Sequence, residues 1–571
     1  MHTTLWSHRI DIRRLARVSS LAAAFLLPAM AAPCLAQTAP PAADAGNQAA
    51  PTSAPSDAWW NDAVFYEAFV RSFKDSASGP FANDGIGDFD GMTEKLDYLS
   101  DGKGGGLGVT GLWLMPIFPS PSYHGYDVSD YYSTNPDYGT VASFKRLLKE
   151  CHKRRIRVIL DLTLNHCSSE HQWFKDAIKP DSPTHDWFVW TKEAPPRQGG
   201  AYGGSPWHKL GDSYYYGIFS KGMPDFNCTN PKVTNVLQQL SRFWLQDVGI
   251  DGFRLDAVRH LIEVDGKQEN TPETHAWLRD YRTFLKKAKS DSMTVGEVWD
   301  SSENAAAYVG DQLDMVFEFQ LAQETLNAIN KGDGEKLRET YAKVAKAYPR
   351  NQYGTFLTNH DQTRVMNILK NDPAKAKLAA TLLLTGPGVP FIYYGEEIGM
   401  TGDKPDEHLR TPMQWAAGPN AGFSTHAPWQ AANKDTSTIN VEAELADPSS
   451  LLRHYQRLIK LRKEHAALRR GELFPVTVDN TALYSFLRTQ PGVDGSLDAV
   501  LVVVNLSDHR VTDYALTLPA SPLRSDFVAA DLLTGNPGLN LIANAQGGFE
   551  SYQPSGTLGP YESFIVHLKK R

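Results

Sequence analysis

Asp161, Asp256, Glu297 and Asp361 each stand at, or just after, the end of a short apolar run. Asn165 and His166 follow the first, Arg254 precedes the second by two residues, and His360 precedes the last. A single Asp after a strand usually caps a helix or makes a turn. Four acidic positions of this kind, with Arg and His beside them, read instead as a site. A carboxyl kept protonated beside an ionised neighbour is the equipment of acid–base catalysis. Arg254 shares a strand face with Asp256, and its charge lowers the pKa of that Asp. Crowding by Asp256 and Asp361 raises that of Glu297.

These groups meet only if the fold places them on one rim. Strand-type runs fall at 64–70, 109–115, 158–162, 252–255, 294–296, 315–317, 353–356 and 389–393. Helical runs alternate with them. In 141–154, Val141, Phe144, Leu147, Leu148 and Cys151 recur at helical spacing. In 230–249, Asn230 is placed to cap, Pro231 takes the first helical position, and Gly249 ends the helix. Val233, Leu237, Leu240 and Trp244 line one face of it. Eight strands with helices between them predict an α/β fold, a (β/α)8 TIM barrel, whose strand C-termini face the active-site mouth.

The barrel is expected over 58–165 and 231–465. The segment between, 166–230, is too long for a βα loop and dense in Trp, Tyr, Gly and Pro, so it reads as an inserted subdomain. After a helix at 451–463 the period changes to two, predicting a C-terminal antiparallel β-sandwich over 466–571, with strands at 483–487, 499–506 and 561–568.

The N-terminus reads as an export signal. Arg9, Arg13, Arg14 and Arg17 form a basic region, and the apolar run 21–31 is too short to span a bilayer. Cleavage is expected after Ala36, followed by an Ala- and Pro-rich linker over 37–57 with nothing to bury. Removing 1–36 takes away four Arg and one Asp, moving the net charge from −8 to −11. Such a chain has no electrostatic reason to bind nucleic acid or anionic membranes. Cys151, Cys167 and Cys228 then remain, which allows one internal disulfide at most.

The short motifs resemble those of glycoside hydrolase family 13, the α-amylase family. They run in order: HGYDVSDY (124–131), DLTLNH (161–166), MPDFN (223–227), GFRLDAVRH (252–260), GEVW (296–299) and FLTNHD (356–361). The resemblance implies that Asp256 is the nucleophile, Glu297 the acid/base, and Asp361 the group that holds and distorts the sugar ring. It further implies that Arg254 orients Asp256, that His124, His166 and His360 grip hydroxyls, and that Tyr126 stacks beneath the sugar; Arg364 is counted with these substrate-binding residues. The chemistry agrees, because a glycosidic oxygen leaves poorly unless protonated and the oxocarbenium-like transition state wants negative charge beneath it.

The resemblance also implies calcium. A first site would use Asp84, the Ile86 carbonyl and Asp88, with Asp75 and Asn83, in a loop of the kind a hard cation prefers. A second, found in some members, would use Asn165, Asp225 and the His260 carbonyl. Cys167 and Cys228 lie just beyond two of those positions, so export favours a disulfide between them; three free thiols is the alternative.

The expected substrate is an α-glucan or maltooligosaccharide, cut at α-1,4 bonds by a secreted, monomeric enzyme. MPDFN with GEVW looks like the group between oligo-1,6-glucosidases and neopullulanases. The alternative is an exo-acting α-glucosidase or transglycosylase, with which RTPMQW (410–415) is shared. A non-catalytic binding module would have lost one of the three carboxylates. Ala257, small where α-1,6-selective members tend to carry Val, points to α-1,4 geometry, and Trp173, Trp187, Trp190, Trp207 and Tyr214 to Tyr216 are candidate sugar platforms.

Overall fold

A computed structural model describes residues 58–571, apart from 194 and 196–198. The expected signal peptide (1–36) and linker (37–57) lie outside the described residues.

Eight parallel strands close into a barrel: β1 (Phe65–Ala68), β2 (Gly111–Leu114), β3 (Arg157–Thr163), β4 (Gly252–Asp256), β5 (Met293–Gly296), β6 (Met315–Phe317), β7 (Tyr353–Thr355) and β8 (Val389–Tyr393). Each pairs with its neighbours in sequence, and β8 returns to β1 with Phe65 opposite Phe391. The runs are apolar on both faces because helices cover the outside while the strands fill the inside. The inner layer is aromatic: Phe65 stacks on Phe391 at 4.5 Å and Trp113 on Phe317 at 5.2 Å between ring centres. Gly252 opens β4 because a Cβ there would meet the Met293 carbonyl at 2.1 Å.

The helices start where the sequence provides caps. Thr140 and Ser143 form a reciprocal box at the head of the helix Val141–Lys153. The Asn230 side chain accepts from the Lys232 amide, Pro231 opens the helix Pro231–Arg242, and Val233, Leu237, Leu240 and Trp244 are buried as the spacing predicts. The helix does not run unchanged to Gly249. It widens to a π-turn over Phe243–Val248 before Gly249 ends it at φ 98°.

Between β3 and that helix, three short antiparallel strands, Trp190–Thr191, Trp207–Leu210 and Ser213–Tyr216, build the inserted segment. Its Trp residues serve mainly as core: Trp173 lies against His171 and Trp187, and Trp190 stacks on Phe174. None of Trp173, Trp187 and Trp190 lines the catalytic cavity, which corrects their reading as platforms.

After the helix Leu451–Glu464 comes an antiparallel domain. A six-stranded sheet with Leu483–Pro491, Leu497–Asn505 and Ser563–Lys570 at its centre packs on a three-stranded one. The shared core includes Leu487, Leu501 and Val503 from the larger sheet and Leu516, Phe549 and Tyr552 from the smaller. Cys151, Cys167 and Cys228 are all free and buried, so the expected disulfide is not formed. Instead the Cys167 thiol reaches the Ser168 carbonyl at 3.4 Å, and that of Cys228 points to the Leu164 carbonyl at 3.9 Å.

Candidate active site

Arg254, near the end of β4, is buried inside the barrel mouth and holds three carboxylates with one guanidinium. Nη1 donates to Asp161 at 2.8 Å and to Asp256 at 2.7 Å, and Nη2 lies 3.0 Å from Glu297. Trp113 and Tyr126 carry the cation on their faces, at 5.3 and 5.8 Å from the ring centres. The acids therefore converge because β3, β4 and β5 end side by side, with Asp161 opposite Arg254 and Thr163 opposite Asp256.

Burial, rather than Arg254, decides the direction of the shifts. It raises Asp256 against the pull of Arg254, with Asp161 and Asp361 reinforcing the rise. The sequence expectation had Arg254 lowering Asp256; that pull is present and is outweighed. Glu297 is raised as well, by burial first and then by Asp256 and Asp361, against Arg254. Between these two, the remaining proton belongs on Glu297, whose ordinary value is higher and whose bond to Arg254 is longer.

Asp361 behaves oppositely. Burial opposes its charge, but His360 and Arg410 overcome that and hold it well below the usual carboxylate range. His360 in turn is pushed up to about 10 by Asp361 and Glu67 in spite of its burial. Its Nδ1 lies 2.5 Å from Glu67 and its Nε2 3.2 Å from Asp361, so it stays cationic through neutral pH. Arg410 donates to Asp361 at 2.8 Å.

Tyr126 donates to Asp161 at 2.9 Å and lies face to face with His360, 5.5 Å between ring centres. The Tyr126 amide donates to His124 Nδ1 at 3.1 Å, which leaves the other ring nitrogen of His124 as a donor toward the cavity. Both nitrogens of His166 face protein acceptors, the Tyr126 carbonyl at 3.1 Å and Asn165 Oδ1 at 3.0 Å, and a neutral ring donates to one of the two. Burial lowers His166 to about 4 and keeps it neutral.

Asp256, Glu297, Asp361, His124, Tyr126 and His166 line one cavity of about 230 Å³ together with Tyr202, Phe219, Met223, Ala257, Asp406 and Arg410. A second cavity of about 620 Å³ joins it through Ala257, Glu297 and Asp361, with Tyr202 and Trp299 among its walls. Tyr202 and Trp299 are exposed aromatic faces, 84% and 48% accessible. Ala257 itself holds a left-handed backbone at φ 48°, and its amide donates to Glu297 at 3.1 Å. Such strain in a non-glycine residue persists only where the surroundings fix it, here between Asp256 and Glu297.

Arg364 is not part of this site. Its guanidinium is buried beneath the rim and donates to the backbone carbonyls of Tyr394 at 2.7 Å and Leu409 at 2.9 Å. Arg364 was counted with the substrate-binding residues; the cation that borders the cavity beside Asp361 is Arg410. The segment RTPMQW begins with Arg410 and was the available signal; nothing in the Gly-rich run around Tyr202 marked that ring.

The acidic loop folds as a turn around Asp75, which accepts from the amides of Asn83 at 2.7 Å and Gly85 at 2.9 Å. Asp88 caps the next helix through Gly91, and Asp84 accepts from Ile86. Asn83 is turned to Thr425 and Ala77. Burial raises Asp84 and Asp88, and Asp75 adds to both. At the second position, Asn165 donates to the His260 carbonyl at 2.7 Å and reaches Asp225 at 3.4 Å. Asp225 is raised by burial and then by its buried neighbour Glu263, itself pushed up to about 7. In the first group Asp84 is exposed and Lys74 stands near Asp75 and Asp88, whereas the second sets two carboxyls, Asp225 and Glu263, against each other.

A catalytic-domain model of the α-amylase family matches residues 67–471. The chain belongs to the α-amylase family of glycoside hydrolases. It is 37% identical over 433 residues to Alpha-amylase 3 of Dictyoglomus thermophilum, covering 75% of this chain and 82% of that one. To an oligo-1,6-glucosidase of Parageobacillus thermoglucosidasius it is 33% identical, with 79% and 91% covered. Among solved structures, an α-amylase from H. orenii superposes with a TM-score of 0.75 at 35% identity, covering 89% of this chain and 99% of that one. The protein is thus a glycosidase of this family with a closed barrel and a C-terminal β domain.

Proposed function

We propose that the enzyme is a retaining hydrolase of α-1,4-glucosidic bonds in starch and maltooligosaccharides. In this reading Asp256 attacks the anomeric carbon, Glu297 protonates the leaving oxygen and then activates water, and Asp361 holds the ring hydroxyls. His124 donates to those hydroxyls, Tyr126 lies under the ring, and Arg254 fixes the three acids. His360, buried with both nitrogens held by Glu67, Asp361 and Tyr126, positions Asp361 rather than gripping sugar as expected. The observation that carries the linkage is Ala257. It borders both cavities, so its small side chain leaves room where the leaving sugar must turn. Maltotriose should be hydrolysed at least about tenfold faster than isomaltose, the range one pocket contact can supply. The opposite order of initial rates would reject the linkage.

A specific observation favours the exo-acting reading beside the endo-acting one. The cavity around the carboxylates, about 230 Å³, is the smaller part of a joined space whose outer part is about 620 Å³. Room for one sugar there and more beyond, over Tyr202 and Trp299, suits release of short products from chain ends. Iodine staining separates the two: endo cleavage removes starch colour before reducing ends accumulate. Glucose as the sole early product, with colour retained, establishes the α-glucosidase.

Export, a monomeric state and calcium belong to the same proposal. Asp75, Asp84, Asp88 and the Ile86 carbonyl would hold one ion, and Asp225, Glu263 and the His260 carbonyl a second. Each would be structural, and the second would relieve the crowding of Asp225 and Glu263. Chelation should lower Tm by about 3 °C or more, restored by calcium and abolished in Asp84→Ala if the loop dominates. A Tm indifferent to both chelator and calcium would remove the ions from the proposal.

A further inference from the structure

His465, Asp498 and His567 lie at the junction of the last barrel helix and the C-terminal domain, and none of them lines the catalytic cavity. His465 stands where the helix Leu451–Glu464 ends, at φ −105°, ψ 111°. Asp498 is near the start of the strand Leu497–Asn505, and His567 is on the neighbouring strand Ser563–Lys570, opposite Val500. Asp498 and Val500 share a strand face, so the register sets the carboxylate diagonally beside the His567 ring.

Three ligand atoms converge there. Asp498 Oδ1 is 3.0 Å from His465 Nδ1 and 3.6 Å from His567 Nε2, and all three atoms lie within 4.8 Å of one another. Ligands 2.0–2.1 Å from a tetrahedral ion stand about 3.3 Å apart. These two separations bracket that value, and the 3.6 Å contact to His567 is within ion-pair range but longer than a hydrogen bond. The two imidazoles are not stacked; their ring centres are 4.6 Å apart and their planes 61° apart. Asp498 is oriented from behind, because its Oδ2 accepts from the Ala467 amide at 2.9 Å at the head of the next short helix. Fixing a ligand through its second oxygen is what a metal centre needs. The side chains are 13%, 23% and 30% exposed, covered enough to be rigid and open enough for an ion and a water to enter.

We infer that His465, Asp498 and His567 form a transition-metal site that takes Zn²⁺ or a similar divalent ion and clips the barrel to the C-terminal sheet. Two nitrogens and one oxygen suit a borderline ion and are a poor set for calcium, which takes six to eight oxygens. Three protein ligands leave a fourth position for water. The ion binds neutral imidazoles and an ionised carboxylate, so any proton on the histidines is released to solvent on binding. The site is independent of the linkage and mode of action proposed for the cavity.

The test uses the full chain, stripped of metal by chelation and returned to buffer with calcium in excess to fill oxygen-lined sites. Titration with Co²⁺ should give the visible absorption of a tetrahedral nitrogen–oxygen centre at one ion per chain, and Zn²⁺ should displace it. In His567→Ala and in His465→Ala that spectrum should vanish, with Zn²⁺ affinity down by about 100-fold or more. Far-UV circular dichroism and maltotriose hydrolysis confirm that each variant is folded. Zn²⁺ should raise Tm of the wild type and leave His567→Ala unchanged. Wild-type protein that takes up no Co²⁺ in a tetrahedral site overturns the inference, as does a folded His567→Ala with the wild-type spectrum and affinity.

Discussion

Asp256→Asn is expected to lower kcat on maltotriose by about 10⁴-fold or more, the scale seen when one member of a catalytic unit is removed. The amide preserves shape and can still accept from Arg254, now 2.7 Å from the carboxylate. On the mechanism proposed above it lacks a nucleophile, and no neighbour replaces it. Asp161 is fully buried behind Arg254, and Asp361 is held by His360 and Arg410. Glu297→Gln should behave differently. Loss on maltotriose should again be severe, but an aryl glucoside with a good leaving group needs little protonation and should retain its first step. The pair of variants measured on both substrates separates nucleophile from acid. A tenth of wild-type activity left in Asp256→Asn would show that the bond to the sugar forms elsewhere.

The three carboxylates were legible because strand ends in a barrel share a rim, so short motifs far apart in sequence must meet. The helix over 230–249 was legible from Asn230, Pro231 and Gly249. Its π-turn was not, because Phe243 to Val248 keep an apolar face that either helix type buries. Arg364, counted with the substrate-binding residues, does not line the cavity. Three residues beyond Asp361, the backbone has turned under the rim, and the carbonyls of Tyr394 and Leu409 draw the guanidinium inward. Arg410 and Tyr202 come from long loops whose approach is set by tertiary packing, which no local period records. The sign for Asp256 needed burial as well as partners. The sequence supplied the attraction of Arg254, and only the closed barrel supplied the desolvation that exceeds it.

Arg254→Met should be the most damaging single change to stability and activity together. It removes the one cation shared by Asp161, Asp256 and Glu297 and leaves three buried carboxylates uncompensated. Breaking a buried ion pair from one side costs about 3–5 kcal/mol. The cost depends on pH in a direction that can be worked out. All three acids already titrate above their ordinary values, by burial, and Arg254 restrains each. Without it their folded pKa values rise further. An acid whose folded value exceeds its unfolded one binds more protons when folded, so stability falls as pH rises through that interval. The Tm deficit of Arg254→Met against wild type should therefore be largest at and above neutral pH and shrink toward pH 5, where protons replace the missing cation. Hydrolysis should not recover with it, because protonating Asp256 removes the nucleophile. A deficit that stayed constant with pH would mean that Arg254 acts by packing on Trp113 and Tyr126 rather than by its charge.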